Sequence, residues 1–469
     1  MISSILRPAL RTMARTACLL IFLGSLPGHM AHAETSSKVL FLLDAPPNIM
    51  GVMPFLAPSP AANTSQQESC LNSFSCPFPV DRPELLTLIK YAATAAPEIA
   101  RVRAELRSSK ADYNRARWAF APTAAIGMES DINNTTEDFV ASLNQPIWTG
   151  GRLTSELKQS GANVKASHAA IQIGQFNQAQ SLIEYYGNWA SAWLKHQAWA
   201  EGVREHNDLV ALVERRTAGG ASGQNELNLA LNRRNSVATE LITTEASRQL
   251  AMARLFQLLG QRPDETAMAA VLAKPYQLIQ VTPLVEQKAL THSPFITQAQ
   301  AQLEGVKAAA KAKRATVYPT VSLRLEHLRE NAFGGNSQET TSIAFQLNSN
   351  FGAGLSRLAE IRQIDAQVDA AKEAVLITKR GVLEQIQSTA ALLNSAERRV
   401  IALGQVAQAS RQLFVAYQRQ FQSGRRSWED VMNSAREVAN HKALLADARA
   451  TRLTSSWKLA LYLVGLEQL

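Results

Sequence analysis

Cysteine is almost missing from this sequence: there are three, and one of them, Cys18, sits in a leader-like segment. A scaffold built on disulfides is excluded. Cys70 and Cys76 are left as one candidate disulfide, the alternative being two unpaired thiols in a loop. Histidine is sparse too. His168, His196, His206, His292, His327 and His441 are scattered without metal-ligand spacing, so no metal site is read. The glycine cluster "GGASG" (Gly219–Gly223) has no lysine after it and cannot be a phosphate-cradling loop. With no cofactor motif and no catalytic constellation, the chain is not expected to be an enzyme. After the segment Ala17–Leu26, no apolar run reaches the roughly 18 residues of a transmembrane helix. The net charge of +9 is spread along helical faces and forms no basic cluster, which excludes a nucleic-acid partner.

What is present begins with an export signal. Arg7, Arg11 and Arg15 precede the apolar stretch Ala17–Leu26, and "AHA" (Ala31–Ala33) has the small-x-small cleavage pattern, so residues 1–33 read as a signal peptide. Cys18 precedes the apolar run rather than following it, which rules out a lipid-anchor signal. Losing the three arginines lowers the charge from +9 to +6. Residues 34–81 form an arm rich in proline and serine. Within it Lys38–Asp44 reads either as a strand or as a short docking segment.

The remainder repeats one plan, over 82–260 and again over 284–466, with a linker at 261–283. Aromatics make up only 6% of residues, while Ala, Gln, Leu, Arg and Glu recur, as in long helices and coiled coils. Pro97 and Pro122 frame one helical segment, and Pro294 and Pro319 frame its counterpart at the same spacing. The period then changes to two. Val321, Leu323 and Leu325 alternate with Ser322, Arg324 and Glu326, and Ile343, Phe345 and Leu347 alternate with Ala344, Gln346 and Asn348. Such alternation predicts a β-hairpin over 320–351, with a weaker one over 123–148. A very long helix is expected from about Leu355 to Phe421. There Ile361, Val368, Val375, Val382, Thr389, Ala396 and Leu403 fall seven apart, the repeat of a left-handed supercoil.

Each long helix stops at a glycine, Gly220 or Gly424, and restarts through an acidic turn. Glycine suits a left-handed C-terminal cap, Ser222 or Ser427 is placed to cap the next helix, and Glu226, Glu429 and Asp430 favour its positive end. Four amphipathic strands are too few to close a membrane barrel, and open edges cannot face lipid. The strands must therefore pool with other copies or form an ordinary sheet outside a membrane.

The doubled plan, the segment "NQPIWTGGR" (Asn144–Arg152) and the pattern of Phe421, Gly424 and Arg426 resemble the TolC family of outer-membrane efflux and secretion ducts. The resemblance implies a fold that is mainly α with a membrane β-barrel portion. It further implies a homotrimer whose twelve strands form one barrel in outer-membrane lipid, and helices that form a tunnel into the periplasm. Implied partners are a periplasmic adaptor and an inner-membrane transporter, either an ABC transporter or a proton-driven pump; no cofactor is implied. The entrance would close where Gly220, Glu226, Phe421, Gly424, Arg426, Asp430 and Asn433 lie. Asp430 would give a cation-attracting ring, and an Arg426–Glu226 pair would hold the closed state. The family's best-known form has tyrosine where Phe421 stands and a second acid where Asn433 stands, so a looser closure is expected. Within the family, Phe421–Glu437 is most similar to members serving type I secretion of large adhesins. Multidrug efflux is the alternative, and a periplasmic coiled-coil adaptor without a barrel is the second.

Overall fold

A computed structural model describes residues 84–130, 137–270, 272–277, 281–332, 337–349, 354 and 356–466. The signal segment, the whole N-terminal arm and the candidate pair Cys70–Cys76 lie outside the described residues. In chain order the elements are α1 (Leu85–Ala95), α2 (Pro97–Trp118), β1 (Thr123–Ser130), β2 (Glu137–Trp148), α3 (Arg152–Ala218), α4 (Gln224–Leu259) and α5 (Glu265–Ala270). There follow α6 (Pro283–His292), α7 (Pro294–Ala315), β3 (Thr320–Glu330), β4 (Gln338–Asn348), α8 (Ser356–Gln422) and α9 (Trp428–Val464).

Each half carries a short helix ahead of the proline-started one, which the sequence reading did not place. In α1 the residues Leu85, Leu88, Ile89, Ala92 and Ala93 are buried at helical spacing. The break that follows is a proline effect. A residue before proline is pushed out of the helical region, and Ala96 (φ −63, ψ 137) and Ser293 (φ −66, ψ 121) are both extended. The next helix then starts on proline, whose missing N–H costs nothing there. At the other end α2 stops at Trp118 and α7 at Ala315, each a few residues short of the second proline. The chain unwinds through tighter turns such as Phe120 N–H to Arg117 O (3.3 Å) and Tyr318 N–H to Ala315 O (3.1 Å).

The four strands form one antiparallel sheet in the order β1-β2-β3-β4. The two hairpins join through β2 and β3, where Leu143 faces Leu325 and Asn144 faces Arg324. This register places the apolar sets on one side. Ile126 lies opposite Ala141, Leu323 opposite Phe345, and Leu325 opposite Ile343. Ser142, Glu326 and Ser342 line the other side, where Arg324 also bonds Glu326 at 2.7 Å. Among the described residues β1 and β4 each have one unpaired edge. On the apolar side Ile126 and Phe345 are each 76% exposed.

The helices α3 and α8 are each 67 residues long, roughly 100 Å. All seven heptad positions of α8 are at least half-buried, with Val375, Val382 and Ala396 fully so. Helix α3 packs against α2, α4, α7 and α9. It approaches α9 closely at two glycines. A Cβ on Gly187 would overlap Thr454 Cγ2, and one on Gly202 would lie 2.8 Å from Ala439 Cβ.

One turn beyond Gly202, His206 is completely buried. Its Nδ1–H donates to the Gly202 carbonyl at 2.7 Å, and its Nε2 has no partner among the described residues. Burial holds its pKa below the ordinary imidazole value; the bond to Gly202 works against this, and the charge of Arg436 adds to it. The unfolded chain therefore binds the proton more readily than the folded one. The stability this ring contributes is complete above about pH 6.5, the unfolded value. It is lost as pH falls through the folded value. The apparent melting temperature of the protein is expected to drop on going from pH 7.5 to pH 5, and to drop less in His206→Gln. Equal drops in the two proteins would show that this histidine does not set the acid sensitivity.

Candidate functional site: the paired helical turns

The residues that the sequence singled out, apart from the cysteines, all lie in or beside the two turns that join α3 to α4 and α8 to α9. Both turns close in the same way. Gly220 (φ +72) donates its N–H to Thr217 O at 3.0 Å, and Ala221 donates to Arg216 O at 2.8 Å. Gly424 (φ +71) donates to Phe421 O at 3.0 Å, and Arg425 to Gln420 O at 2.9 Å. This pair of bonds satisfies the last carbonyls of a helix and needs a left-handed residue, which is why glycine stands at each position.

The restarts differ. Ser427 caps α9: its Oγ accepts from the Asp430 N–H at 3.1 Å and donates to Asp430 Oδ2 at 2.7 Å. Aspartate stands where a capping box carries Glu or Gln, but its carboxylate takes the Ser427 hydroxyl rather than the Ser427 backbone N–H. Ser222 does not cap α4. Gly223 occupies the cap position without a side-chain bond, and Ser222 Oγ instead accepts from Arg216 Nε at 3.3 Å. Glu226 stands in the first turn of α4, while Glu429 and Asp430 stand in that of α9, beside the positive helix ends.

The expected pair between Arg426 and Glu226 is not formed within one chain. Arg426 Nη1 lies 3.5 Å from Asp430 Oδ2, and its guanidinium sits 4.2 Å from the Tyr417 ring centroid. An acid one turn away on the same segment outcompetes one in the other repeat, because it needs no long side chain fixed across a gap. The Asp430 carboxylate thus receives Ser427 and Arg426, its backbone N–H donates to Ser427 Oγ, and its side chain remains 40% exposed. Asn433 follows on α9, half-buried.

Phe421 is 7% exposed and packs against Trp428, ring centroids 5.0 Å apart. Around them one apolar cluster takes in Leu209, Val213, Ala230, Phe414, Val431 and Met432. Both turns are therefore footed on a single core that α3, α4, α8 and α9 share. Trp428, Tyr417 and Arg216 were not singled out from the sequence. For Trp428 a signal existed, since Trp428, Val431, Met432, Ala435 and Val438 recur at helical spacing just after the cap. Among the described residues no group of His, Cys, Asp and Glu is placed to hold a metal ion, and no helix is long and apolar enough to cross a membrane. The chemistry of the site is that of charge and packing at the free ends of helices.

Comparison with known proteins agrees with this architecture. The sequence profile of the family described as "Outer membrane efflux protein" matches residues 88–261 and 285–465. Protein CyaE of Bordetella pertussis is 26% identical over 328 residues, 65% of this chain and 68% of that protein. The pyoverdine export outer membrane protein OpmQ of Pseudomonas putida is 22% identical over 485 residues, 93% of this chain and 97% of that one. Among solved structures, CusC superposes with a TM-score of 0.71 at 17% identity, covering 82% of this chain and 92% of CusC. VceC of Vibrio cholerae gives 0.68 at 18% identity, covering 81% and 96%. The fold is that of TolC-like outer-membrane channels, and the chain belongs to the Outer membrane efflux protein family.

Proposed function

We propose that the chain is the passive exit duct of a tripartite export system, without catalytic activity of its own, and that its cargo is a large protein released by type I secretion. The observation that carries the duct reading is the four-stranded sheet with one apolar face and two open edges, borne on helices about 100 Å long. Such edges are costly in lipid unless paired. Three copies would pair them in a ring of twelve strands, with Ile126, Ile343, Phe345 and Leu347 facing outward. Trp148 and Tyr318 meet edge to face at 6.3 Å where helices give way to strands, and Trp118 nearby in the chain is 72% exposed. Aromatics at that level suit a membrane interface.

In this reading the paired turns form the periplasmic entrance, closed at rest and opened by an adaptor that docks on them under the drive of an inner-membrane ABC transporter. Asp430, repeated three times around the pore, would attract cations. The protein-secretion reading rests on the resemblance of the second turn, Phe421–Glu437, to that subgroup. A second reading is export of small molecules, with the chain as the outer-membrane component of an efflux pump. It is favoured by likeness over 93% of the chain to a protein named for pyoverdine export.

A strain lacking the gene is expected to lose one large surface or secreted protein while its tolerance of dyes and antibiotics is unchanged. Drug sensitivity with an intact secretome would replace the first reading with the second. The protein itself is expected in the outer-membrane fraction as a heat-sensitive trimer; recovery as a soluble periplasmic monomer would remove the duct reading altogether. In planar bilayers under a salt gradient, Asp430→Asn is expected to move the reversal potential toward zero. An unchanged potential would take Asp430 out of the entrance.

A further inference from the structure

Arg216 belongs to the last turn of α3, yet it touches the closures of both long helices. Its Nε donates to Ser222 Oγ at 3.3 Å and its Nη2 to the Ala221 carbonyl at 3.5 Å, so it braces the loop that leads from α3 to α4. The same guanidinium lies over the ring of Phe421, 4.8 Å from its centroid, at the end of α8. Phe421 is itself held. Its carbonyl accepts the Gly424 N–H at 3.0 Å, its ring packs on Trp428 at the start of α9, and it is 7% exposed. One planar cation is thus hydrogen-bonded by its edge to one turn and stacked by its face on the other. An arginine can do both at once, because its donors lie in the plane and its attraction to a ring acts through the face.

We propose that Arg216 is a positioning residue that clamps the two turns together, so that opening of either is coupled to opening of the other. The expectation of a looser closure took the missing tyrosine hydroxyl as a missing tie. The ring face of Phe421 supplies a different one, which needs no hydroxyl. The clamp acts on the entrance only if the preceding reading of the turns holds; the coupling itself is a property of the fold. Coupling of this kind is reciprocal: a change on either side of the contact must be felt on the other.

The test is hydrogen exchange on the full-length protein in detergent, followed in peptides covering the two turns. Arg216→Gln removes the cation but keeps a side-chain donor. It is expected to speed exchange about two- to fivefold at the second turn, around Gly424 and Arg425, as well as at Gly220 and Ala221. Phe421→Leu stays apolar but loses the π face, and is expected to speed exchange at Gly220 and Ala221. Arg216→Lys keeps the charge but loses the planar fork that bonds and faces the ring at once, and is expected to protect the second turn less than arginine does. If each substitution loosens only its own turn, the clamp is refuted and Arg216 is a local brace. Closed-state conductance in planar bilayers, measured on the same variants, separates the two readings. Coupled exchange with unchanged conductance would leave the clamp standing and remove the turns from the entrance.

Discussion

An unpaired strand edge in lipid leaves a row of backbone donors and acceptors with nothing to bond, and among the described residues the four-stranded sheet of this chain has two unpaired edges. Much of the architecture is consistent with that one constraint. The register through β2 and β3 welds the two repeats into a single sheet, so that the chain presents one apolar face instead of two. The apolar face bears Ile126, Ile343 and Phe345 far into solvent, where an isolated soluble domain would bury them. The helices contribute a contrasting surface: long, mixed in charge, and buried along the seams where they meet, with single apolar side chains such as Ile242, Ile377 and Ile401 left exposed.

At the far ends of those helices the demand is different. There the chain must turn back twice within one small cluster, and it does so with identical backbone bonds and different side-chain chemistry. The first turn spends its serine on Arg216 and leaves the cap of α4 to glycine. The second spends its serine on Asp430 and so draws that carboxylate into its own helix start. The repeats share a geometry but divide the roles: one supplies the bracing cation, the other the aromatic shelf and the partly compensated acid.

The periodic features of this arrangement were open to reading from residues alone. Alternation marks β3 and β4, and proline at Pro97 and Pro294 marks helix starts. The glycines at Gly220 and Gly424 mark the stops, where φ is positive as the cap requires. The short helix α1 escaped because its apolar positions, Leu85 to Ala93, follow directly on the proline-rich arm and look like its end. Choices between equivalent residues could not be made from type. Ser222 and Ser427 are alike as residues, and Gly223 decides between them only once the backbone is placed. Arg426 had a neighbour, Asp430, and a distant candidate, Glu226, and a charge pattern does not rank them by the entropy of reaching each. The seat of Arg216 on Phe421 joins positions about two hundred residues apart and has no periodicity to betray it.

The two bare-backbone contacts of α3 with α9 carry a mechanical meaning. At Gly187 and Gly202 the α3 backbone sits directly against the side chains of Thr454 and Ala439, and a side chain at either glycine would force the two helices apart. Between Gly202 and the turn at Gly220 there is no second such pin on α3. Beyond Gly202 the last stretch of α3, about 27 Å long, is held instead by side chains, with His206, Leu209 and Val213 buried among its neighbours. The fit of α3 thus changes from backbone-limited to side-chain-limited as the helix nears its turn.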